Sequence, residues 1–199
     1  MPGPAPRPTL FLIAGPNGAG KSTFHDTVLA PRVAAPFINA DILQRDELRD
    51  PSPTASYRAA KIAERRRREC MSERRSFVME TVFSHPSKLQ LVRDARAEGY
   101  RVVVFHLNVA SAEIAVARVR ARTAEGGHDV PEDRIRARYE RNQAIIREAV
   151  LLADNAQVFD SSALNERPRV VFELAHGRAI DWAEDRPEWC DGLYGDLIG

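Results

Sequence analysis

Apolar residues along this chain form short runs that alternate with longer segments in which apolar positions recur at helical spacing. The short runs predict strands at residues 9–14, 36–39, 76–80, 101–107 and 156–159. The segments between them predict helices at residues 21–29, 55–74, 86–98, 111–122 and 132–153. Strands that alternate with helices favour a parallel sheet covered on both faces. The run "RVVVFHL" lacks polar alternation, as expected for a strand buried on both faces.

The C-terminal part of the chain departs from this alternation. "VVFELAHGRAIDWAED" predicts two strands joined at His176-Gly177-Arg178, an antiparallel hairpin over about residues 169–183. In "RPEWCDGLYGDLIG" glycine and proline interrupt the pattern, and we predict no regular element there. The expected fold is one α/β domain over residues 1–199, with a five-stranded parallel sheet, helices on both faces and this hairpin at the sheet edge.

Composition narrows the function classes. A net charge of +1 gives no broad field that would attract nucleic acid or an anionic membrane. The run "ERRRRE" at residues 64–69 has no interleaved aromatic residues, so we interpret it as a solvated helix face. Cys70 and Cys190 lack a CxxC partner and are expected to be free thiols. With no apolar run of membrane-spanning length, we expect a cytoplasmic protein that binds neither membranes nor nucleic acid.

Residues 15–22, "GPNGAGKS", satisfy the phosphate-loop pattern GxxxxGK[ST] between a predicted strand and a predicted helix. Such a loop points its backbone N–H groups at phosphates, and the helix N-terminus adds positive character. We therefore predict binding of ATP and Mg²⁺, with Lys21 on the β- and γ-phosphates and the Ser22 hydroxyl on the metal. The predicted nucleotide-binding residues are Gly15, Pro16, Asn17, Gly18, Ala19, Gly20, Lys21, Ser22 and Thr23.

Other motifs favour a kinase over a motor or a switch. The chain has no SGG signature, no acidic pair after "VVVFHL" and no NKxD guanine motif. Asp41 follows the second predicted strand, at the sheet edge where ligands bind, and could act as general base for an attacking hydroxyl. Its alternative role is an N-cap for the next helix. Glu80 and Thr81 reach the same edge and could hold substrate hydroxyls or a magnesium-bound water, or merely cap a turn.

Residues 118–138 combine arginines with a glycine pair and predict a lid over the phosphates. Arg118 and Arg122 share one helical face, and Gly126-Gly127 supplies a hinge, with His128 as a loop contact. The alternative is an ordinary surface, because only three of the 29 basic residues are lysines and arginines fill most such positions.

Four motifs together, "AGPNGAGKST", "FINADI", "FVMETVFS" and "GGHDVPEDRIRARYER", resemble the zeta-toxin family of P-loop kinases. The resemblance implies phosphorylation of a UDP-N-acetylglucosamine hydroxyl, with Asp41 as base and Asn39, Glu80 and Thr81 near the substrate. It also implies an antitoxin protein as partner. The implied phosphate clamps are Lys21, Arg118, Arg122 and Arg138, with Arg120, Arg134 and Arg141 as neighbouring alternatives.

Two other functions stay open. The chain is shorter than the toxins best known for the sugar-nucleotide reaction, so the acceptor could instead be a nucleotide, a simple sugar or a cofactor. A protein of another class, a nucleotide-gated binding module without catalysis, would also carry a phosphate loop. Asp41 distinguishes these classes, because a switch needs no general base.

Overall fold

The computed structural model describes residues 6–124 and 130–197, and a single mixed sheet runs through them. Its strands are β1 (Thr9–Ala14), β2 (Phe37–Ile38), β3 (Phe77–Thr81), β4 (Arg101–Asn108), β5 (Asn155–Asp160), β6 (Arg169–Ala175) and β7 (Arg178–Trp182). They lie in the order β2-β3-β1-β4-β5-β6-β7. The first five strands are parallel, β6 pairs antiparallel with β5, and β7 pairs antiparallel with β6. The predicted α/β class is confirmed, and the hairpin brings the sheet to seven strands.

Helices cover both faces of this sheet. They are α1 (Lys21–Phe24), α2 (Ala40–Ile42), α3 (Pro53–Ser72), α4 (Ser87–Ala97), α5 (Ala112–Ala124), α6 (Glu132–Leu152) and α7 (Glu188–Tyr194). π-Helical turns extend α1 over His25–Leu29 and α2 over Leu43–Leu48. Within the described residues, none of the helices combines the length and apolarity needed to cross a membrane.

Alternate residues of the strands point to opposite faces of the sheet and pack into two separate hydrophobic cores. On one face Leu12 packs in a cluster with Val92 of α4 and Val150 of α6. On the other face its neighbour Ile13 packs with Phe24 of α1 and Val116 of α5. This period of two, with apolar residues on both sides, explains why the parallel strands read as continuous apolar runs.

The hairpin turn has the backbone geometry that its sequence predicts. His176 and Gly177 have φ values of 50° and 73°. Two successive left-handed residues match the right-handed twist of the flanking strands, as in a type I′ turn.

The tail after β7 contains α7, so the prediction of no regular element there is wrong. Cys190 and Tyr194 of this helix are fully buried. The Tyr194 hydroxyl lies 2.8 Å from Nδ1 of His106 in β4, and its ring packs on Phe172 of β6 at 4.7 Å between centroids. Tertiary packing stabilises this short helix, because seven residues with an internal glycine do not form a stable helix alone.

His106 is structural, as its position within a predicted strand indicated. It is fully buried, and burial lowers its pKa from 6.5 to about 3. Between these two values the unfolded chain binds a proton that the folded chain does not. Stability should therefore fall as the pH drops through this window.

We predict that lowering the pH from 7 to 5 costs about 2 kcal/mol of unfolding free energy through His106 alone. Urea unfolding across this range, compared between the wild type and a His106→Leu/Tyr194→Phe double variant, measures this contribution. The double variant removes both polar partners and so leaves neither one unpaired. Parallel pH profiles of the two proteins would contradict the prediction.

Candidate active site

The phosphate loop connects β1 to α1 and is pressed between β4 and α5. A Cβ atom at Gly15 would lie 2.0 Å from the Leu107 carbonyl oxygen. At Gly18, where φ is +75°, a Cβ would lie 2.7 Å from the Ala115 carbonyl oxygen. Only glycine fits these two positions, so close packing against the rest of the fold fixes the course of the loop.

Lys21 is buried at the base of this loop. Its Nζ donates a hydrogen bond of 2.9 Å to the Pro16 carbonyl oxygen and lies 3.6 Å from Oε1 of Glu80. Burial lowers the pKa of the Lys21 ammonium, while the Glu80 and Asp41 carboxylates oppose the shift. The ammonium is therefore held inside the loop by one carbonyl and one carboxylate.

The Glu80 carboxylate joins three segments of the site. Its Oε2 accepts hydrogen bonds from the Ser22 hydroxyl at 2.8 Å and from the Asn39 amide nitrogen at 3.0 Å. The parallel register pairs Glu80 of β3 with Ile13 of β1, which lies two residues before the phosphate loop begins at Gly15. Glu80 thus contacts both the predicted metal-binding residue and the segment that carries Asp41.

Asn39, and not Asp41, caps the helix after β2. Its side-chain oxygen accepts hydrogen bonds from the backbone N–H groups of Asp41 at 2.8 Å and Ile42 at 3.5 Å. The alternative of Asp41 as N-cap is therefore wrong. The Asp41 side chain is exposed, and Asn39 orients the turn that carries it.

A cavity of about 890 Å³ brings most of the predicted site residues together. It is lined by the phosphate-loop residues from Asn17 to Thr23 except Ala19, and by Asp26, Asn39, Asp41, Glu80, Val82, Arg118 and Arg122. Thr81 is not among the lining residues. Its hydroxyl accepts a hydrogen bond of 3.0 Å from the backbone N–H of Phe83, whose φ is 51°. Thr81 thus has the turn-capping contact that was its alternative interpretation.

Arg118 of α5 contacts backbone carbonyls at the edge of the cavity. Its guanidinium donates to the carbonyl oxygens of Ser161, Ser162 and Ala163 at 2.5, 3.1 and 2.8 Å, and to Gly18 at 3.4 Å. The Ser161 hydroxyl also donates to the Ala19 carbonyl oxygen at 2.9 Å. These contacts fasten the segment after β5 onto the phosphate loop.

The other predicted lid arginines occupy different environments. Arg122 is exposed, lines the cavity, and is near enough to lower the pKa of Lys21. Arg138 of α6 is partly buried and does not line the cavity. Arg120 forms an ion pair with Glu132. The predicted hinge, Gly126-Gly127, and His128 lie outside the described residues.

Sequence reasoning missed two cationic residues of the cavity, Arg45 and Arg49. They follow Asp41 at intervals of four residues, and this spacing on one helical face was the available signal. Arg45 forms an ion pair of 2.5 Å with Asp46, and both of these side chains are exposed. Gln44 fixes the loop after these residues by donating hydrogen bonds to the carbonyl oxygens of Asp50 and Ser52.

The donor atoms in the cavity suit ATP and Mg²⁺. The buried side-chain oxygen of Asn17 in the phosphate loop has no hydrogen-bond partner among the described residues, so it is available to a ligand. Ser22 and Glu80 offer oxygen ligands, which Mg²⁺ prefers. No cluster of three or more metal-ligating His, Cys, Asp or Glu residues occurs in residues 6–124 and 130–197. Magnesium needs no such cluster, because it usually keeps several waters and shares substrate phosphates.

A family model described as Zeta toxin matches residues 2–167. The chain belongs to the Zeta toxin family. A 63-residue segment is 35% identical to an uncharacterized protein of Haemophilus influenzae, covering 32% of this chain and 45% of that protein.

Solved structures share the fold at low identity. AvrRxo1-ORF1:ORF2 with ATP has a TM-score of 0.68 and 15% identity, covering 95% of this chain and 64% of that one. The PezAT toxin–antitoxin system of Streptococcus pneumoniae has a TM-score of 0.62 and 16% identity, with coverages of 98% and 80%. A kinase-like protein of Chloroflexus aurantiacus has a TM-score of 0.55 and 18% identity, with coverages of 67% and 80%.

From its contacts we predict that Arg118 acts on nucleotide affinity. Arg118→Ala should raise the dissociation constant of ATP by about tenfold or more, because it releases residues 161–163 from the phosphate loop. Calorimetric titration measures this constant, and Arg120→Ala, which removes an exposed arginine of the same helix, is the control. Unchanged ATP affinity combined with a lower kcat would instead assign Arg118 to the phosphate clamp.

Proposed function

We propose that the protein transfers the γ-phosphate of ATP to a hydroxyl group of a small molecule. The observation that carries this proposal is the shared cavity, in which the phosphate loop and the Asp41 carboxylate face one space of about 890 Å³. Phosphoryl transfer needs little more than positioning, charge neutralisation and a base for the attacking hydroxyl. The cavity offers residues for all three tasks.

On the donor side, the phosphate loop and Lys21 would bind the β- and γ-phosphates. Ser22 and Glu80 would hold Mg²⁺, which supplies neutralisation of the phosphate charge when bound. The 2.8 Å hydrogen bond between these two residues supports this assignment, because it aligns a hydroxyl and a carboxylate oxygen beside Lys21. The relative AvrRxo1-ORF1:ORF2 has been solved with ATP.

On the acceptor side, Asp41 would accept the proton of the attacking hydroxyl. Arg122, which lines the same cavity, would neutralise charge on the transferring phosphoryl group, and Arg138 would join it if the lid closes. Arg45 and Arg49 line the same cavity, as does Asp50. The Arg49 guanidinium, with Arg45 beside its partner Asp46, supports an anionic acceptor, and the leading candidate is a sugar nucleotide of the UDP-N-acetylglucosamine type.

A partner protein of the antitoxin type is part of this proposal. AvrRxo1-ORF1 was solved together with ORF2, and PezAT is a toxin–antitoxin system. An open cavity at the sheet edge is a surface that such a partner could cover, thereby blocking ATP.

An acceptor screen tests the reaction. The protein is incubated with ATP, Mg²⁺ and one acceptor from three groups: sugar nucleotides, neutral sugars and nucleosides. We expect the mass of one added phosphoryl group on sugar nucleotides, and a KM about tenfold higher after Arg45→Ala or Arg49→Ala. Phosphorylation of neutral sugars alone would contradict the anionic acceptor. ATP binding without any product would contradict the kinase.

A second experiment tests the base. Asp41→Asn should lower acceptor-dependent turnover by about 10²-fold or more while ATP binding stays nearly intact. Asp26→Asn is the matched control, because it removes the same charge from the lining of the same cavity. Equal losses in the two variants would reduce Asp41 to a general electrostatic contribution, and full turnover in Asp41→Asn would exclude it as base.

A further inference from the structure

Two long helices, α3 and α6, each bury a polar side chain among apolar neighbours. In α3 this residue is Arg67, which is 7% exposed, so the interpretation of its arginine run as a solvated face is wrong at that position. In α6 it is Asn142, which is 3% exposed and belongs to the buried stripe that also contains Ile135 and Ile146. A buried helix position normally holds an apolar residue, and a polar one there needs hydrogen-bond partners.

The Asn142 amide joins α6 to the loop after β3. Its Nδ2 donates a hydrogen bond of 2.5 Å to the carbonyl oxygen of Val82, the first residue beyond β3. Its Oδ1 accepts a hydrogen bond of 3.3 Å from Nε of the neighbouring Arg141. Both polar atoms of the amide therefore have partners, and one of these partners lies 60 residues away in sequence.

The loop that Asn142 contacts has a constrained backbone. Phe83 has a φ of 51°, a left-handed conformation that costs a residue with a side chain about 1–2 kcal/mol. Its ring is fully buried and belongs to the same core cluster as Ile146, which lies one turn after Asn142 on α6. The Thr81 hydroxyl accepts a hydrogen bond of 3.0 Å from the Phe83 N–H. Thr81 thus holds this turn from β3, and Asn142 holds it from α6.

Val82 brings the turn to the candidate active site. It lines the cavity together with Asp41 and Glu80, whereas Asn142 does not line it. Val82 follows Glu80 by two residues, and Glu80 accepts a hydrogen bond from Asn39, which caps the turn that carries Asp41. Asn142 can therefore affect the cavity through Val82, without contacting a ligand there.

We propose that Asn142 is a positioning residue for the acceptor, because its hydrogen bond to Val82 fixes a part of the cavity wall that the acceptor contacts. This inference rests on the proposed function, which assigns Asp41 to the acceptor side. Val82 lies on the strand whose Glu80 contacts the Asn39 cap before Asp41. The two hydrogen bonds of Asn142 reach Val82 and Arg141, and neither of these belongs to the phosphate loop. Loss of Asn142 should therefore weaken acceptor binding and leave ATP binding unchanged.

Steady-state kinetics of Asn142→Leu test this role. Leucine branches at the same atom but has no N–H donor, so the Val82 carbonyl loses its hydrogen bond. The assay uses UDP-N-acetylglucosamine, or whichever acceptor of the screen gains a phosphoryl group. We expect the acceptor KM to rise about tenfold, while kcat and the dissociation constant of ATP change less than about twofold.

Gln143→Leu is the matched control, because it removes the same amide group from the next residue of α6. The Nε2 of Gln143 donates a hydrogen bond of 3.1 Å to Asn108, and Gln143 does not line the cavity. A rise in acceptor KM in Asn142→Leu alone supports the inference. An unchanged KM, or an equal rise in Gln143→Leu, would overturn it. If Asn142→Leu does not fold, Asn142→Ser decides the question, since serine is too short to reach the Val82 carbonyl.

Hydrogen exchange separates a failure of this inference from a failure of the proposed function. Mass spectrometry of the peptide over residues 80–86 reports the opening of the loop without any turnover. We expect faster exchange in this peptide in Asn142→Leu than in wild type and Gln143→Leu. Equal exchange in all three proteins would contradict the role of Asn142, whether or not the wild type phosphorylates an acceptor. Faster exchange in Asn142→Leu without product from any acceptor would support Asn142 as the residue that holds the loop and would contradict only the kinase.

Discussion

The Glu80 carboxylate is the contact on which the candidate active site depends. It faces Lys21 at 3.6 Å and accepts hydrogen bonds from Ser22 and Asn39, so one side chain joins β1–α1, β2–α2 and β3. Without it, the buried Lys21 ammonium would lose its nearest counter-charge, which is a costly state inside a protein. Asn39 would also lose the contact that orients the cap before Asp41.

The sheet provides the precision that this network needs. Parallel pairing places Glu80 opposite Ile13, and Ala14 opposite His106 of β4, so the loop after β1 starts between two fixed neighbours. The contact of Gly15 with the Leu107 carbonyl oxygen leaves the loop no room to shift toward β4. Two apolar cores clamp the central strands from both sides, whereas the polar residues lie where the strands end. The middle of each strand is therefore fixed by apolar packing, and the polar residues of the candidate site lie at the strand ends.

The sequence predicts correctly those features that depend on interactions between residues close together in the chain. The β1 bounds, the hairpin turn and the position of residues 15–20 between β1 and α1 depend on residues adjacent in sequence, and these predictions are confirmed by the structure. The α7 helix escaped prediction because its stability depends on His106, 88 residues away. The contacts of Arg118 escaped it for the same reason, since its acceptors belong to residues 161–163. In both cases the partner is set by the topology, which spacing along one helix does not reveal.

In this arginine-rich chain, the presence of an arginine therefore says little about its role. The groups that surround each guanidinium indicate that role. Arginines paired with surface carboxylates, such as Arg66 with Glu47, have their charge balanced by the protein. Arg118 donates hydrogen bonds to backbone carbonyl groups and so links the segment after β5 to the phosphate loop. Arg45, Arg49 and Arg122 line the cavity that also holds Lys21. The same cavity is lined by the carboxylates of Asp26, Asp41, Asp50 and Glu80, so groups of both charges surround one space.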